Sequence, residues 1–183
     1  MNERVELKTE RLLLRPFRPD DVDDVFEYAG DPEWGCFLQS TVPQPYARED
    51  AEEYVARGVL TDWETSPEWA ITLEDKIIGS IGFRIETQDE RGWLGYTIGK
   101  AHWGKGIMPE AVRSVMGWGF EVRGLAKIYS WADARNRRSW RVMEKVGMTR
   151  EGLFRSHTKS RDGRRRDDVY YGILREEWQE RRS

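Results

Sequence analysis

The chain has 183 residues, of which 34% are charged and 12% are aromatic, and it carries a net charge of −3 and one cysteine. Aromatic residues this frequent exclude a disordered chain, the lone Cys36 excludes an intrachain disulfide, and the balanced charge disfavours a dedicated nucleic-acid binder. Because no apolar run approaches the ~20 residues of a membrane helix and the N-terminus lacks the apolar core of a signal peptide, we expect a single cytoplasmic domain over residues 1–183 without membrane contact.

Hydrophobic periodicity in the first half of the chain predicts one strand, two helices and a three-stranded meander. The alternation in residues 5–15 is typical of a strand, and the spacing of apolar residues over 19–29 is that of one helical face. A loop at 31–47 separates that helix from a second one over 48–61. Three apolar runs with short polar separators then predict antiparallel strands at 69–73, 77–85 and 93–98.

The second half of the chain predicts two more helices and three more strands. A long helix over 107–122 is followed by a strand at 127–133 and a short helix at 137–146. Two closing strands are predicted at 148–157 and 168–175. The resulting order, β-α-α-β-β-β-α-β-α-β-β, indicates an α+β domain built from α/β layers.

A glycine-rich turn at 99–106 joins the last strand of the meander to the long helix. Glycines let backbone N–H groups approach an anion closely, and the start of a helix adds unpaired N–H donors. We therefore predict a phosphate or pyrophosphate site. The segment nearly matches the Walker A pattern, but Gly106 stands where that pattern needs a magnesium-binding Ser or Thr, and the third glycine of a dinucleotide fingerprint is absent. A purely structural turn is the alternative interpretation.

A second motif lies at the short helix, where Asn136 is a good N-cap and Gly147 a good C-terminal stop. This motif and the glycine-rich turn, with a strand between them, make the chain similar to the GCN5-related N-acetyltransferases (GNAT), and most of all to their RimJ/RimL-type branch. The resemblance covers essentially the whole chain. Its motifs are Thr9–Pro16, Gly95–Gly99, Trp103–Ala111, Asn136, Ser139, Glu144–Met148, Glu151–Leu153, Asp168, Tyr171, Leu174 and Glu177–Trp178.

The resemblance implies the GNAT fold, with a mixed, mostly antiparallel sheet of about seven strands flanked by four helices. It implies that acetyl moves from acetyl-CoA to a primary amine by direct attack, with no need for a metal. The cosubstrate would lie on the glycine-rich turn and along the preceding strand, which splays from its neighbour at residue 127 onward. The residues expected to contact it are Thr97, Ile98, Gly99, Trp103, Gly104, Lys105, Gly106, Ile107, Asn136 and Ser139.

Two residues are expected to act in catalysis. The resemblance implies an N–H near Ile98 that polarises the thioester carbonyl. Many family members also carry a Tyr in the helix after the Asn, which gives a proton to the leaving thiolate, but the matching residue here is Met143. Ser139 lies one turn earlier on the same helical face and is the expected substitute; a role in starting the helix is the alternative.

The sequence does not single out a general base or an outer-phosphate ligand. The candidates for the base are Glu86, Asp133, His157 and Asp168, none of them favoured. The basic candidates for the outer phosphate are Lys100, Lys105, Arg141 and Lys145. The expected contacts for the amine are Trp34, Glu86 and Trp93.

The expected acceptor is a protein N-terminal amine of the ribosomal-protein alanine type, because the RimJ/RimL-type branch is best known for that substrate. The alternatives are a small-molecule amine (a polyamine, an amino sugar or an amino acid) and a non-catalytic acyl-CoA-binding module on the same fold. Because the chain has many aromatic residues, some of which could form a dimer interface, a homodimer is a further possible state. The basic run at 155–166 favours a solvated hairpin over a nucleic-acid contact.

Overall fold

The computed structural model describes residues 4–38 and 42–181, so residues 39–41 of the predicted loop at 31–47 lie outside the described residues. Within these ranges the chain forms eight strands and five α-helices. The strands are β1 (Leu7–Lys8), β2 (Leu13–Arg15), β3 (Glu68–Leu73), β4 (Lys76–Glu86), β5 (Arg91–Ile98), β6 (Lys127–Asp133), β7 (Thr149–Lys159) and β8 (Arg165–Leu174). The helices are α1 (Val22–Ala29), α2 (Arg48–Leu60), α3 (Ile107–Glu121), α4 (Arg137–Lys145) and α5 (Arg175–Glu180).

The described strands form one sheet in the order β1-β2-β3-β4-β5-β6-β8-β7. Every neighbouring pair is antiparallel except β5 and β6, which are parallel. The predicted α+β fold with a mixed, mostly antiparallel sheet is therefore confirmed. The predicted antiparallel meander is confirmed as β3, β4 and β5.

The sheet has eight described strands rather than about seven because the predicted strand over 5–15 is a hairpin. The N–H of Thr9 donates to Leu12 O at 3.0 Å, and the N–H of Leu12 donates to Thr9 Oγ1 at 2.9 Å. This turn pairs β1 with β2. The fifth helix, α5, has only six residues, too few to show a helical period in the sequence.

Helices cover both faces of the sheet. Helix α3 packs on one face, where the rings of Trp69 and Trp118 lie 5.0 Å apart, and α1 and α2 pack on the other. Neighbouring strand residues divide between the two layers, as the two-residue period of a strand requires: Ile71 belongs to the α3 side and Ala70 to the α1–α2 side. No helix in the described ranges is long and apolar enough to cross a membrane.

Strands β5 and β6 pair only at their first three residues, Arg91–Trp93 with Lys127–Tyr129. One more contact follows, in which Ser130 Oγ donates to Leu94 O at 2.7 Å. Beyond it β5 stays with β4, while β6 follows β8 to its end. The two strands therefore part after Tyr129, slightly later than expected, and leave a wedge-shaped opening in the sheet.

The basic run at 155–166 is only partly the solvated hairpin that was expected. Residues 161–165 are exposed. Arg166, however, is 5% exposed; its Nε donates to Thr158 Oγ1 at 2.6 Å and lies 3.5 Å from Asp168 Oδ1. Its guanidinium is therefore bound to Thr158 and Asp168 inside the β7–β8 hairpin and is not exposed to solvent.

Candidate active site

The glycine-rich turn presents open backbone at the start of α3. Gly104 and Gly106 have φ angles of +77° and +76°, a left-handed conformation that strongly favours glycine. No atom lies within 4 Å of the position that a Cβ would take at Gly104. The first N–H groups of α3, at Ile107 and Met108, have no partner within the helix. The turn is thus a cradle for an anion.

The N-terminal hairpin holds this turn in place through Glu110, in the first turn of α3. Glu110 accepts hydrogen bonds from Thr9 Oγ1 at 2.6 Å and from the N–H of Arg11 at 2.9 Å. It also pairs with the Arg11 guanidinium at 2.6 Å, and Arg11 Nη1 donates to Lys105 O at 3.1 Å. Although burial opposes it, these hydrogen bonds lower the pKa of Glu110. The motif at Thr9–Pro16 therefore stabilises the turn.

A cavity of about 270 Å³, here called the turn cavity, lies between the turn, β5 and α4. Its wall on α4 is cationic, with Arg138, Arg141 and Lys145. The guanidinium of Arg138 lies 4.4 Å from the ring centroid of Trp103, which fixes its position by a cation–π contact. The expected cosubstrate residues that line this cavity are Thr97, Ile98, Trp103, Gly104, Gly106, Ile107, Asn136 and Ser139.

Two of the expected cosubstrate residues do not line the turn cavity. The N–H of Gly99 donates to Ile78 O at 2.8 Å, so its backbone faces β4. The side chain of Lys105 is exposed. Lys100, a candidate for the outer phosphate, is held 2.6 Å from Glu33 in a salt bridge.

A second and larger cavity of about 550 Å³, the sheet cavity, lies on the α1–α2 side of the sheet. Its floor follows the strand register, with Gly82 opposite Gly95 and Ser80 opposite Thr97. Both glycines are needed for close packing, because a Cβ would lie 3.2 Å from Glu68 Cβ at Gly82 and 2.8 Å from the Trp93 ring at Gly95. The residues that line both cavities are Trp34, Phe37, Leu38, Tyr96, Thr97, Asn136 and Ser139. The two cavities therefore meet where β5 parts from β6.

Ser139 lies at this junction with a partner that the sequence did not indicate. The hydroxyl of Tyr96 donates to Ser139 O at 2.9 Å, and Ser139 Oγ donates to Tyr96 Oη at 3.1 Å. Burial raises the pKa of Tyr96, so its hydroxyl stays protonated at neutral pH. Met143, by contrast, is buried in the core. The junction thus holds the paired hydroxyl groups of Tyr96 and Ser139.

The structure brings two of the three expected amine contacts into the sheet cavity. Trp34 and Trp93 line it, and Trp34 Nε1 donates to Thr97 Oγ1 at 2.6 Å. Glu86 lies outside both cavities. The Tyr129 hydroxyl and the Arg91 guanidinium bind its carboxylate and lower its pKa.

The other candidate bases are also committed to partners. Asp133 lines the sheet cavity, but although burial opposes it, hydrogen bonds from Arg135 lower its pKa. Asp168 is buried and binds Thr158 Oγ1 at 2.7 Å and His157 Nδ1 at 3.1 Å. Both carboxylates thus serve to hold other side chains.

Comparison with known proteins decides the family. A family model described as an acetyltransferase (GNAT) domain matches residues 11–149. The chain belongs to the GNAT acetyltransferase family. The match spans the turn, the junction of the two cavities and most of the sheet.

Individual relatives agree with this assignment. The protein named "Uncharacterized N-acetyltransferase YnaD" of Bacillus subtilis is 30% identical over 174 residues, with 95% of this GNAT acetyltransferase and 99% of that protein covered. The structure of a GNAT-family acetyltransferase from Bacillus anthracis has a TM-score of 0.84 and 28% identity, over 94% of this chain and 99% of that one. The structure described as ribosomal-protein-S5-alanine acetyltransferase from Vibrio fischeri has a TM-score of 0.81, over 95% and 98% of the two chains; at 21% identity it shows the shared fold alone.

GNAT acetyltransferases use acetyl-CoA as the acetyl donor, and the residues of the turn cavity suit this cosubstrate. The left-handed glycines and the start of α3 offer N–H groups to a pyrophosphate. The cationic wall on α4 offers charge to an outer phosphate. The cavity then continues along β5 to the junction with the sheet cavity.

Proposed function

We propose that this GNAT acetyltransferase binds acetyl-CoA in the turn cavity and transfers the acetyl group directly to a primary amine held in the sheet cavity. The observation that carries the proposal is the junction of the two cavities at the parting of β5 and β6. Substrates held in the two cavities meet there without displacing each other. Holding both reactants in one place supplies much of the rate for an acyl group already activated as a thioester.

The backbone of β5 supplies the group that polarises the carbonyl. In an antiparallel strand, successive N–H groups point to opposite sides. Since the N–H of Gly99 donates to Ile78 O on β4, the N–H of Ile98 points to the side where β6 has left. There it is available to stabilise the negative charge that develops on the thioester oxygen.

Ser139 is the proposed proton donor to the leaving group. The amine nitrogen attacks the carbonyl carbon, the C–S bond breaks, the nitrogen releases a proton to water, and the thiolate takes a proton from Ser139. Ser139 Oγ lies at the junction and donates a hydrogen bond to Tyr96 Oη; when this O–H turns toward the thiolate, Ser139 gives up its proton and regains one from water. General acid catalysis of this kind contributes about 10²–10⁴-fold to a rate.

The volume of the sheet cavity favours a small-molecule amine as the acceptor. Its volume of about 550 Å³ lies within the range typical of small-molecule sites, roughly 300–1,000 Å³. A protein N-terminal amine, as the RimJ/RimL-type resemblance implies, is the second candidate. Both share the same chemistry at the junction and differ only in what fills the rest of the cavity.

The proposal is tested by thiol release from acetyl-CoA in the presence of an amine panel, together with calorimetry of CoA binding. We expect CoA to bind and at least one primary amine to accelerate thiol release above the rate without amine. CoA binding with no acceleration by any small amine or N-terminal peptide would instead indicate an acyl-CoA-binding module.

A further inference from the structure

The carboxylate of Glu68 lies in the sheet cavity without a counter-ion. Glu68 begins β3, is half-buried and lines the cavity. In the part of the chain that the structure describes, no basic side chain lies within 4.0 Å of it. Partial removal of a carboxylate from water is unfavourable unless a cation or hydrogen bonds compensate for it. The cavity therefore offers a negative charge to a ligand.

Tyr54 holds this carboxylate in one orientation. Its hydroxyl donates to Glu68 Oε1 at 2.6 Å and lies 2.7 Å from Ser80 Oγ. Burial, together with the charge of Glu68, raises the pKa of Tyr54 well above its ordinary value. Tyr54 thus remains a donor at neutral pH, and the second oxygen of Glu68 stays available.

The remaining charged groups of the sheet cavity are occupied or peripheral. Asp50 accepts the N–H of Ala47 at 2.7 Å, and Arg135 binds Asp133. The Arg57 guanidinium stacks over the ring of Tyr54, 5.1 Å from its centroid. Glu53 and Arg84 are exposed, and the buried Arg166 lies 3.5 Å from Asp168 and 4.0 Å from Asp133. Glu68 is therefore the half-buried charge that most needs a ligand.

Aromatic rings surround the space above the cavity floor. Tyr28 and Trp34 meet edge to face at 5.7 Å, and Trp34 meets Tyr46 at 5.6 Å. All three line the sheet cavity with Tyr54. Aromatic faces attract organic cations, so rings and carboxylate together suit an alkylammonium group.

The strand register sets the distance from Glu68 to the junction. Glu68 pairs with Gly82, and Gly82 pairs with Gly95, so two strand spacings of roughly 5 Å each separate Glu68 from β5. Ile98 lies three residues further along β5, or roughly 10 Å. The backbone separation is therefore roughly 14 Å, too long for Glu68 to contact an amine that reacts beside Ile98.

We propose that Glu68 binds a second ammonium group of the acceptor, so that the acceptor is an aliphatic diamine or polyamine. One ammonium pairs with Glu68, the chain crosses the sheet cavity beside the ring of Trp93, and the other amine reaches the junction. A Cβ at Gly95 would lie 2.8 Å from the ring of Trp93, so glycine at this position lets that ring pack against β5 and form one wall of the path. The inference rests on the proposed function.

The test compares 1,4-diaminobutane, spermidine, butylamine and an N-terminal alanine peptide as acceptors for the wild type and for Glu68→Gln. We expect the wild type to prefer the diamines. Glu68→Gln should raise the diamine KM by about tenfold or more, the size of a lost charge-assisted contact. The butylamine KM and the kcat values should stay the same. Glu49→Gln, which removes an exposed carboxylate on α2 outside both cavities, is the matched control.

The outcomes separate this inference from the proposed function. Equal KM changes for butylamine and diamines in Glu68→Gln, or a wild type that prefers butylamine or the peptide, would overturn the role of Glu68 while acetyl transfer stands. Absence of CoA binding, or of thiol release with every amine, would overturn the proposed function itself. Thermal unfolding of both variants shows whether they are folded.

Discussion

Tyr96 and Ser139 form a reciprocal pair across the opening in the sheet, with the Tyr96 hydroxyl bound to Ser139 O at 2.9 Å and Ser139 Oγ bound to Tyr96 Oη at 3.1 Å. The residues are 43 positions apart in sequence, one on β5 and one in the first turn of α4. The pair therefore links the strand that would hold the acetyl donor to the helix that carries the proposed proton donor.

Substitutions of this pair should reveal that the two hydroxyls act as one unit. We expect Ser139→Ala to lower kcat by about 10²-fold, in line with the loss of a general acid, and Tyr96→Phe to lower it by about tenfold because Ser139 loses its partner. The double variant should be no slower than Ser139→Ala, since coupled residues are not additive. Effects that multiply in the double variant would show that the hydroxyls act independently.

The left-handed glycine at 104 should be required for CoA binding. We expect Gly104→Glu to reduce CoA affinity by at least about 100-fold in calorimetry, because a carboxylate repels the pyrophosphate and the φ angle disfavours a side chain. Gly163 has nearly the same φ, +78°, and equally open surroundings in the β7–β8 turn. Gly163→Glu should therefore bind CoA like the wild type. A similar loss in both variants would mean that backbone strain alone explains the result.

The cation stacked on Trp103 should contribute to CoA affinity through charge. Arg138→Gln is expected to weaken CoA binding by about threefold to tenfold and to reduce its salt dependence, since one screened ionic contact is lost. Arg137→Gln, at an exposed neighbouring position that lines neither cavity, serves as the control. Equal losses of CoA affinity in the two variants would show that the overall positive charge of α4, and not a contact of Arg138, attracts CoA.

The contacts of Glu110 should make part of the stability depend on pH. The folded pKa of Glu110 is lowered below the ordinary value of 4.5, so its stabilising effect is present above that value and is lost as the pH falls through the folded pKa. We expect Glu110→Gln to lower the free energy of unfolding by about 1–3 kcal/mol at pH 7. The difference from the wild type should shrink below pH 4.5 in chemical denaturation. A difference that is constant with pH would show that the carboxylate charge is not involved.

Local features of the site could be predicted from the sequence, because they depend on neighbouring residues. The turn at Gly104 and Gly106 needs only left-handed glycines and the start of a helix, and both are visible in a short segment. Asn136 as the N-cap of α4 is equally local, and its side chain accepts the N–H of Ser139 at 3.3 Å. Apart from the β1–β2 hairpin and α5, the element order followed from hydrophobic periodicity for the same reason.

Contacts between distant elements could not be predicted in this way. The proposed binding role of Glu68 could not be predicted from its position at the start of β3. That role depends on its hydrogen bond with Tyr54 on α2 and on its register with Gly82. Glu86, which directly follows the predicted strand at 77–85, was expected to contact the amine. The fold instead places it against Tyr129 of β6, a partner 43 residues away that no local pattern indicates.

The claim that both substrates meet where β5 leaves β6 is tested most directly by a crystal structure of the complex with CoA. We predict that the pyrophosphate lies on the backbone at residues 104–107 and that the thiol lies between Ile98 and Ser139, open to the sheet cavity. A CoA molecule whose thiol lies away from this junction, or whose phosphates lie elsewhere than on the turn, would contradict the account.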